Sequence, residues 1–246
     1  FLRVTMVERP YSRQHISAQF NAEIDAVKSD LLEMGGKVEN QIELAAEAIT
    51  QRDSSIAERV LLIDREINQL EIAIDEQCIR ILARRQPAAS DLRLIIAITR
   101  LTRDLERIGD EASRVAKLAI QSAELDASST AYTSVEIKLE NIAHHVIDML
   151  NRALDAFARL NAADAILVVL SDTDIDKTYR ASMKELQAAM AETPVTLPSM
   201  LQLMWALRSF ERIGDHASNI AEQVIYLVTG EDVRHLSADT LRLMLD

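Results

Sequence analysis

The chain of 246 residues is long enough for one large or two small domains, and 48% apolar with 27% charged content places it among globular chains that bury real cores. Five Gly, four Pro and 4% aromatics, set against abundant Ala, Leu, Ile, Glu and Arg, make a helical composition. A formal charge of −12 repels a phosphate backbone from the protein as a whole, which speaks against direct nucleic-acid binding.

The single Cys78 has no partner for an internal disulfide. The chain also shows no charged segment followed by an apolar run and a small-residue cleavage site, so a reducing, cytoplasmic location is expected. The longest purely apolar runs are a handful of residues, as at 165–170, against the roughly 20 that a membrane helix needs. Membrane association is therefore expected only through a partner.

Residues 1–5 fit no pattern that follows. Breakers then divide the chain at Pro10, the polar cluster 52–55, Pro87, the polar stretch 126–134, Asn161 with Ala162, and Pro194 with Pro198. Each resulting segment is about 25–40 residues, a length that suits the helices of a bundle. Ser90 with Asp91 and Ser134 read as N-caps, Gly230 as a helix stop, and the tail after it as a short extra helix.

In the third segment Leu94, Ile98, Leu101, Leu105, Ile108, Ala112 and Val115 step by four and three, the seam of a left-handed bundle. The sixth segment repeats it with Leu203, Ala206, Phe210, Ile213, Ala217, Ile220 and Val224, at an offset of 105. The string ERIGD occurs at 106–110 and again at 211–215, and Arg103, Ala112 and Ser113 match Arg208, Ala217 and Ser218. Upstream the offset becomes 108, pairing Val38 with Val146, Ala57 with Ala165, Asp64 with Asp172 and Ile67 with Ile175. The change falls near the two Pro-containing loops, where length varies at little cost. An internal duplication follows. The expected fold is all-α, two tandem, homologous antiparallel three-helix bundles over 11–125 and 133–229, with a C-terminal extension at 230–246.

Glu106 and Asp110 are four apart and share one helix face, as do Glu211 and Asp215. Asp172 and Asp176 make a third acidic pair, and Asp64 with Asn68 a weaker fourth. Asp64 and Asp110 each lie 23 residues from Pro87, and Asn68 and Glu106 each lie 19 from it, so an antiparallel hairpin sets them at equal heights. In the second copy Asp172 with Asp215 and Asp176 with Glu211 share a midpoint at the Thr193–Pro194 turn. Each copy thus brings four oxygen-bearing side chains to one level, about 30–35 Å from the turn.

Carboxylates gathered at one level repel unless protons or a cation intervene, and an all-oxygen set favours hard ions such as Mg2+, Mn2+, Ca2+ or iron. The other reading is a solvated salt-bridge face, since Arg103, Arg107, Arg208 and Arg212 adjoin the acids. Asn219 and Glu222 could extend the acidic face, whereas His216 points about 100° away from Asp215 around the helix. Gly109 and Gly214, placed inside helices at a cost of about 0.5–1 kcal/mol each, imply close approach of either a neighbouring helix or a ligand. The adjacent His144 and His145 face two directions and form no chelate. Trp205 and the eight Met read as core filler. Arg84 and Arg85 read as partners of a helix C-terminal dipole.

With HISAQFNAEIDAV at 15–27, MGGKVENQ at 34–41, RQPAASDLRLI at 85–95, LERIGDEAS at 105–113 and SFERIGDHASNIAE at 209–222, the chain resembles the PhoU family from His15 to His235. The resemblance implies a protein without catalytic activity, a negative regulator of the phosphate-starvation response. It would link a phosphate ABC transporter, through the transporter's ATPase subunit, to the sensor kinase PhoR, and would reach the inner membrane peripherally through those partners. It also implies a homodimer and binding of metal ions, Mg, Mn, Fe or Zn, through an E(D)xxxD motif that lands on Glu106 with Asp110 and on Glu211 with Asp215. Asn68, where the second copy has Asp176, leaves the first site one carboxylate short.

Two other readings stand beside this one. A ferritin-like di-iron enzyme would need Glu-x-x-His pairs, and none of the five His has Glu three residues before it. A purely structural, dimerising helical scaffold would leave the acidic faces in water.

Overall fold

A computed structural model describes residues 18–122, 130–192 and 197–245. Among them run seven helices and no strand: α1 (Ala18–Gln51), α2 (Ser54–Arg85), α3 (Ala89–Ser122), α4 (Thr130–Arg159), α5 (Ala162–Glu192), α6 (Leu197–Thr229) and the short α7 (Ala238–Leu243). Helices α1 to α3 pack on one another as one three-helix bundle and α4 to α6 as a second, with α7 against α5. The bundles join where α3 lies along α6 and α1 meets α4. All seven seam residues predicted in α3, and all seven in α6, are buried. Each large aliphatic or aromatic side chain so buried contributes about 1.5–3 kcal/mol.

The duplication is visible in the turns. Arg52 (φ 55°) and Leu160 (φ 53°), 108 apart, each end a helix in the left-handed conformation. The next N–H reaches back to the final turn, from Asp53 to the Ala48 carbonyl at 3.1 Å and from Asn161 to the Ala156 carbonyl at 2.9 Å. The same residue then starts the following helix. Asp53 Oδ1 accepts from the N–H groups of Ser55 (2.7 Å) and Ile56 (3.3 Å), and Asn161 Oδ1 from those of Ala163 (3.0 Å) and Asp164 (3.2 Å). One residue thus closes one helix and caps the next, which is why the connections are so short.

Several expected boundaries shift. Ser134 lies inside α4, and Ser90 and Asp91 fall within the first turn of α3, where the Asp91 charge favours the positive end of the helix. Pro198 does not break a helix; it sits in the first turn of α6, where its missing N–H has no intrahelical role. Gly230 (φ 80°) follows the last residue of α6 and donates to the Tyr226 carbonyl at 2.9 Å. Pro10, the linker residues 126–129 and the Thr193–Pro194 turn lie outside the described residues.

Two of the helix-interior glycines, Gly109 and Gly214, serve packing between helices. A Cβ on Gly109 would stand 3.0 Å from Gln41 Oε1 and 3.5 Å from Ile67; one on Gly214 would stand 3.0 Å from Ile175 and 3.5 Å from Val146. Ile67 and Ile175 are themselves repeat partners, so each bundle uses its glycine to admit the same isoleucine.

The seam between bundles is two-fold in character. Ser209 Oγ donates to Glu111 Oε2 at 3.0 Å, and His216 Nδ1 stands 3.0 Å from Asp104 Oδ1. A shift of 105 lays Asp104 on Ser209 and Glu111 on His216. The two bonds therefore join the same pair of helix positions with the helices exchanged, as expected when duplicated units pack about a two-fold axis.

Candidate functional site

The second bundle gathers its predicted acids. Asp172 and Asp176 sit one turn apart on α5, and Glu211 and Asp215 one turn apart on α6. Their charges act on one another. Loss of hydration on burial, then repulsion from Asp215 and Asp176, pushes the Asp172 carboxyl up to about 6. Burial and then Asp215 raise Glu211, with Asp176 and Asp172 adding to the shift and Arg208 opposing it. Asp215 is raised as well, by lost hydration against the pull of Arg208.

Two arginines neutralise part of this charge. Arg208 Nη1 lies 2.7 Å from Glu211 Oε1, and Arg180 Nη2 lies 2.8 Å from Asp176 Oδ2. Glu211 itself is only 8% exposed, and its second oxygen, Oε2, is buried with no hydrogen-bond donor. A buried carboxylate oxygen without a donor is costly, and a cation or a proton there would remove the cost. The donor set, hard carboxylate oxygens with one unpartnered, suits a hard divalent ion. As arranged, no three Asp, Glu, His or Cys side chains among the described residues close around a common point.

The first bundle differs. The charges that raise Glu106, after burial, are Asp110 and Glu71. Glu71, one turn nearer the hairpin than Asn68, is raised by burial, then by Asp75 and Asp110, while Arg103 opposes. Asp64 instead stands 3.4 Å from the amide nitrogen of Gln41 on α1. Glu71 and Asp75 were therefore missed by height alone, although their own four-residue spacing was a readable signal. Their counterparts at an offset of 108 are Tyr179 and Met183, so the acidic patch of the first copy is displaced along α2.

Two further expectations are corrected. Glu222 does not extend the acidic cluster; after burial, the charges acting on it are mainly Arg234, Asp232 and His235 of the segment beyond α6. Trp205 is not core filler, because it is 57% exposed at the groove between α3 and α6. His216 has a partner across the bundle seam in Asp104, and His144 and His145 are exposed. Of the imidazoles, His216 acts on the second cluster, pulling Asp215 down against the effect of burial.

The fold and the site define a class: a tandem three-helix-bundle protein with an acidic patch between the second and third helices of each repeat. A profile of the PhoU domain family matches residues 31–119 and again 139–224. The chain is 50% identical over 237 residues to a phosphate-specific transport system accessory protein PhoU homolog of Pseudomonas aeruginosa, covering 96% of both chains. It is 40% identical over 232 residues, 94% of each chain, to the phosphate-specific transport system accessory protein PhoU of Escherichia coli K12. The crystal structure of PhoU from Pseudomonas aeruginosa superposes with a TM-score of 0.82 at 52% identity, covering 87% of this chain and all of that one. That of the phosphate transport system regulatory protein PhoU from Streptococcus pneumoniae gives 0.79 at 32%, covering 87% and 99%. The chain belongs to the PhoU family.

Proposed function

We propose that this chain is a non-catalytic accessory of a phosphate ABC transporter that represses the phosphate-starvation response. It would do so as a homodimer that contacts the transporter's ATPase subunit and the sensor kinase PhoR at the cytoplasmic side of the membrane. Near-full-length similarity to phosphate-specific transport system accessory proteins carries the reading. Among the described residues no helix is long and apolar enough to cross a membrane, in keeping with attachment through partners.

Asp172, Asp176, Glu211 and Asp215 would hold a divalent ion or an iron or zinc centre, and Glu106 with Asp110, helped by Glu71, would hold a second. The unpartnered Oε2 of Glu211 supports the assignment in the second bundle. The ion would supply positive charge to a patch that otherwise repels itself, and so stiffen the pairing of α5 with α6.

Two measurements test this. Elemental analysis of gently purified protein should find metal that is lost in the Glu211→Ala, Asp215→Ala double variant with helicity kept; unfolding of that variant would make the acids structural. Co-purification at high phosphate should retain the transporter ATPase or PhoR, and retention of neither would count against the adaptor role.

A further inference from the structure

A second feature of α6 goes beyond that reading and does not depend on it. Along the bundle seam α3 and α6 leave a groove of about 310 Å3, at the lower end of the size of small-molecule sites. Its cations are Arg114, Lys117, Arg208 and Arg212, against the single carboxylate of Glu111. In a chain of net charge −12 this is a concentrated positive spot.

Glu111 fixes two of the cations, Arg114 and Arg212, in place. It is 3% exposed, and its Oε1 lies 2.7 Å from Arg114 Nη1 and 2.9 Å from Arg212 Nη1, while Ser209 satisfies Oε2. Two guanidinium groups thus share one buried anion, and each carries further N–H donors in the planar fork that suits phosphate oxygens. Beside them stands Trp205, a large exposed aromatic face.

The duplication supplies an internal comparison. A shift of 105 maps this groove onto its counterpart across the two-fold seam, where Trp205 becomes Arg100, Lys117 becomes Glu222, Ser209 becomes Asp104 and Leu118 becomes Gln223. There Arg100 donates to Gln223 Oε1 at 2.9 Å and lies 5.9 Å from the Tyr226 ring, Asp104 pairs with His216, and the charges acting on Glu222 are mainly Arg234, Asp232 and His235. The two copies differ by these exchanges: the groove beside Trp205 has a hydroxyl and an ammonium where the other copy has the carboxylates of Asp104 and Glu222, an indole in place of Arg100, a guanidinium (Arg114) in place of Asn219, and a carboxylate (Glu111) in place of His216. Those exchanges favour a ligand that is both polyanionic and aromatic.

We propose that the groove between α3 and α6 binds a nucleoside triphosphate, with the base on Trp205 and the phosphates on Arg114, Lys117 and Arg212. Base stacking on an exposed indole and charge-assisted hydrogen bonds to the phosphates divide the recognition between them. Arg208, already paired with Glu211, closes the end nearest the acidic cluster.

Trp205 is the chain's single tryptophan, so its emission reports on this groove alone. Full-length protein in EDTA, which prevents bridging through metal, would be titrated with ATP and GTP by fluorescence and by calorimetry. Saturable quenching is expected. Arg212→Glu should weaken binding about tenfold or more, with Lys117→Glu as a second, solvent-facing test should the first variant fold poorly. Arg107→Glu, the equivalent change in the opposite groove, should leave binding unaltered. Inorganic tripolyphosphate should bind several-fold more weakly than ATP. The proposal is overturned if neither nucleotide saturates, if tripolyphosphate binds as well as ATP, if a Glu-rich peptide competes at equal concentration, or if Arg107→Glu harms binding as much as Lys117→Glu. None of these outcomes would alter the co-purification or metal results.

Discussion

Replacing Asp172 with Asn should make the metal-free protein more stable. In the folded chain the Asp172 carboxyl lies at about 6, against an ordinary value of 3.8, because it has lost water and faces Asp215 and Asp176. At about 1.4 kcal/mol per pH unit, that rise costs the ionised form about 3 kcal/mol. Asp172 keeps some solvent contact, so screening reduces the cost to about 1.5–2 kcal/mol. For a chain of this size that corresponds to a rise in Tm of about 4–6 °C in the variant at pH 7. The sign of the pH dependence follows. Between the ordinary value and about 6 the folded chain holds a proton at this position that the unfolded chain has released, so stability gains as pH falls from 7 toward 5. The variant lacks that contribution, and the gap between the two proteins should narrow over the same interval. Thermal melts in EDTA at pH 7 and pH 5 measure it, with wild type repeated in excess Mn2+, which should stabilise wild type more than the variant. A variant that melts at or below wild type at pH 7, or a gap that does not change with pH, would refute the account of crowded charge.

Two further outcomes test the packing. Gly214→Val, which drives a branched side chain into Ile175 at a Cβ separation of 3.0 Å, should cost about 1–3 kcal/mol by denaturant unfolding despite its better helix propensity. Asn161→Ala removes the cap of α5 and should cost about 1 kcal/mol; Asp53→Ala should cost a similar amount at the equivalent turn, and a large inequality would contradict the equivalence of the two hairpins.

The proposed nucleotide groove shows how reading one helix at a time falls short. Trp205 and Arg212 lie on α6, whereas Arg114 and Lys117 lie on α3, and no spacing within either helix announces their meeting. What joins them is the packing of α3 on α6, in which Glu111 of one helix takes Ser209 and Arg212 of the other. The acidic clusters mark the same boundary from the other side. The pairs Glu211 with Asp215 and Asp172 with Asp176 were visible as four-residue spacings, and hairpin symmetry brought them to one level. The same reasoning selected Asp64 and Asn68 in the first copy, where the α2 acid that acts on Glu106, beside Asp110 of its own helix, is Glu71. A height argument resolves position along a hairpin to about one turn, and one turn separates Asn68 from Glu71.

The amino-acid sequence alone determined the helices, the seven-residue seam and the duplication, because each rests on relations within one helix or on repetition along the chain. A four-residue step places two side chains on one face whatever surrounds them. Tertiary structure decided the rest: which α2 acid meets α3, that Glu222 turns toward the segment beyond α6, that Trp205 stays in water, and that Gly109 and Gly214 serve neighbouring helices. Those outcomes depend on how each helix is rotated and slid against its neighbours, and that is set by the summed packing of all the side chains between them.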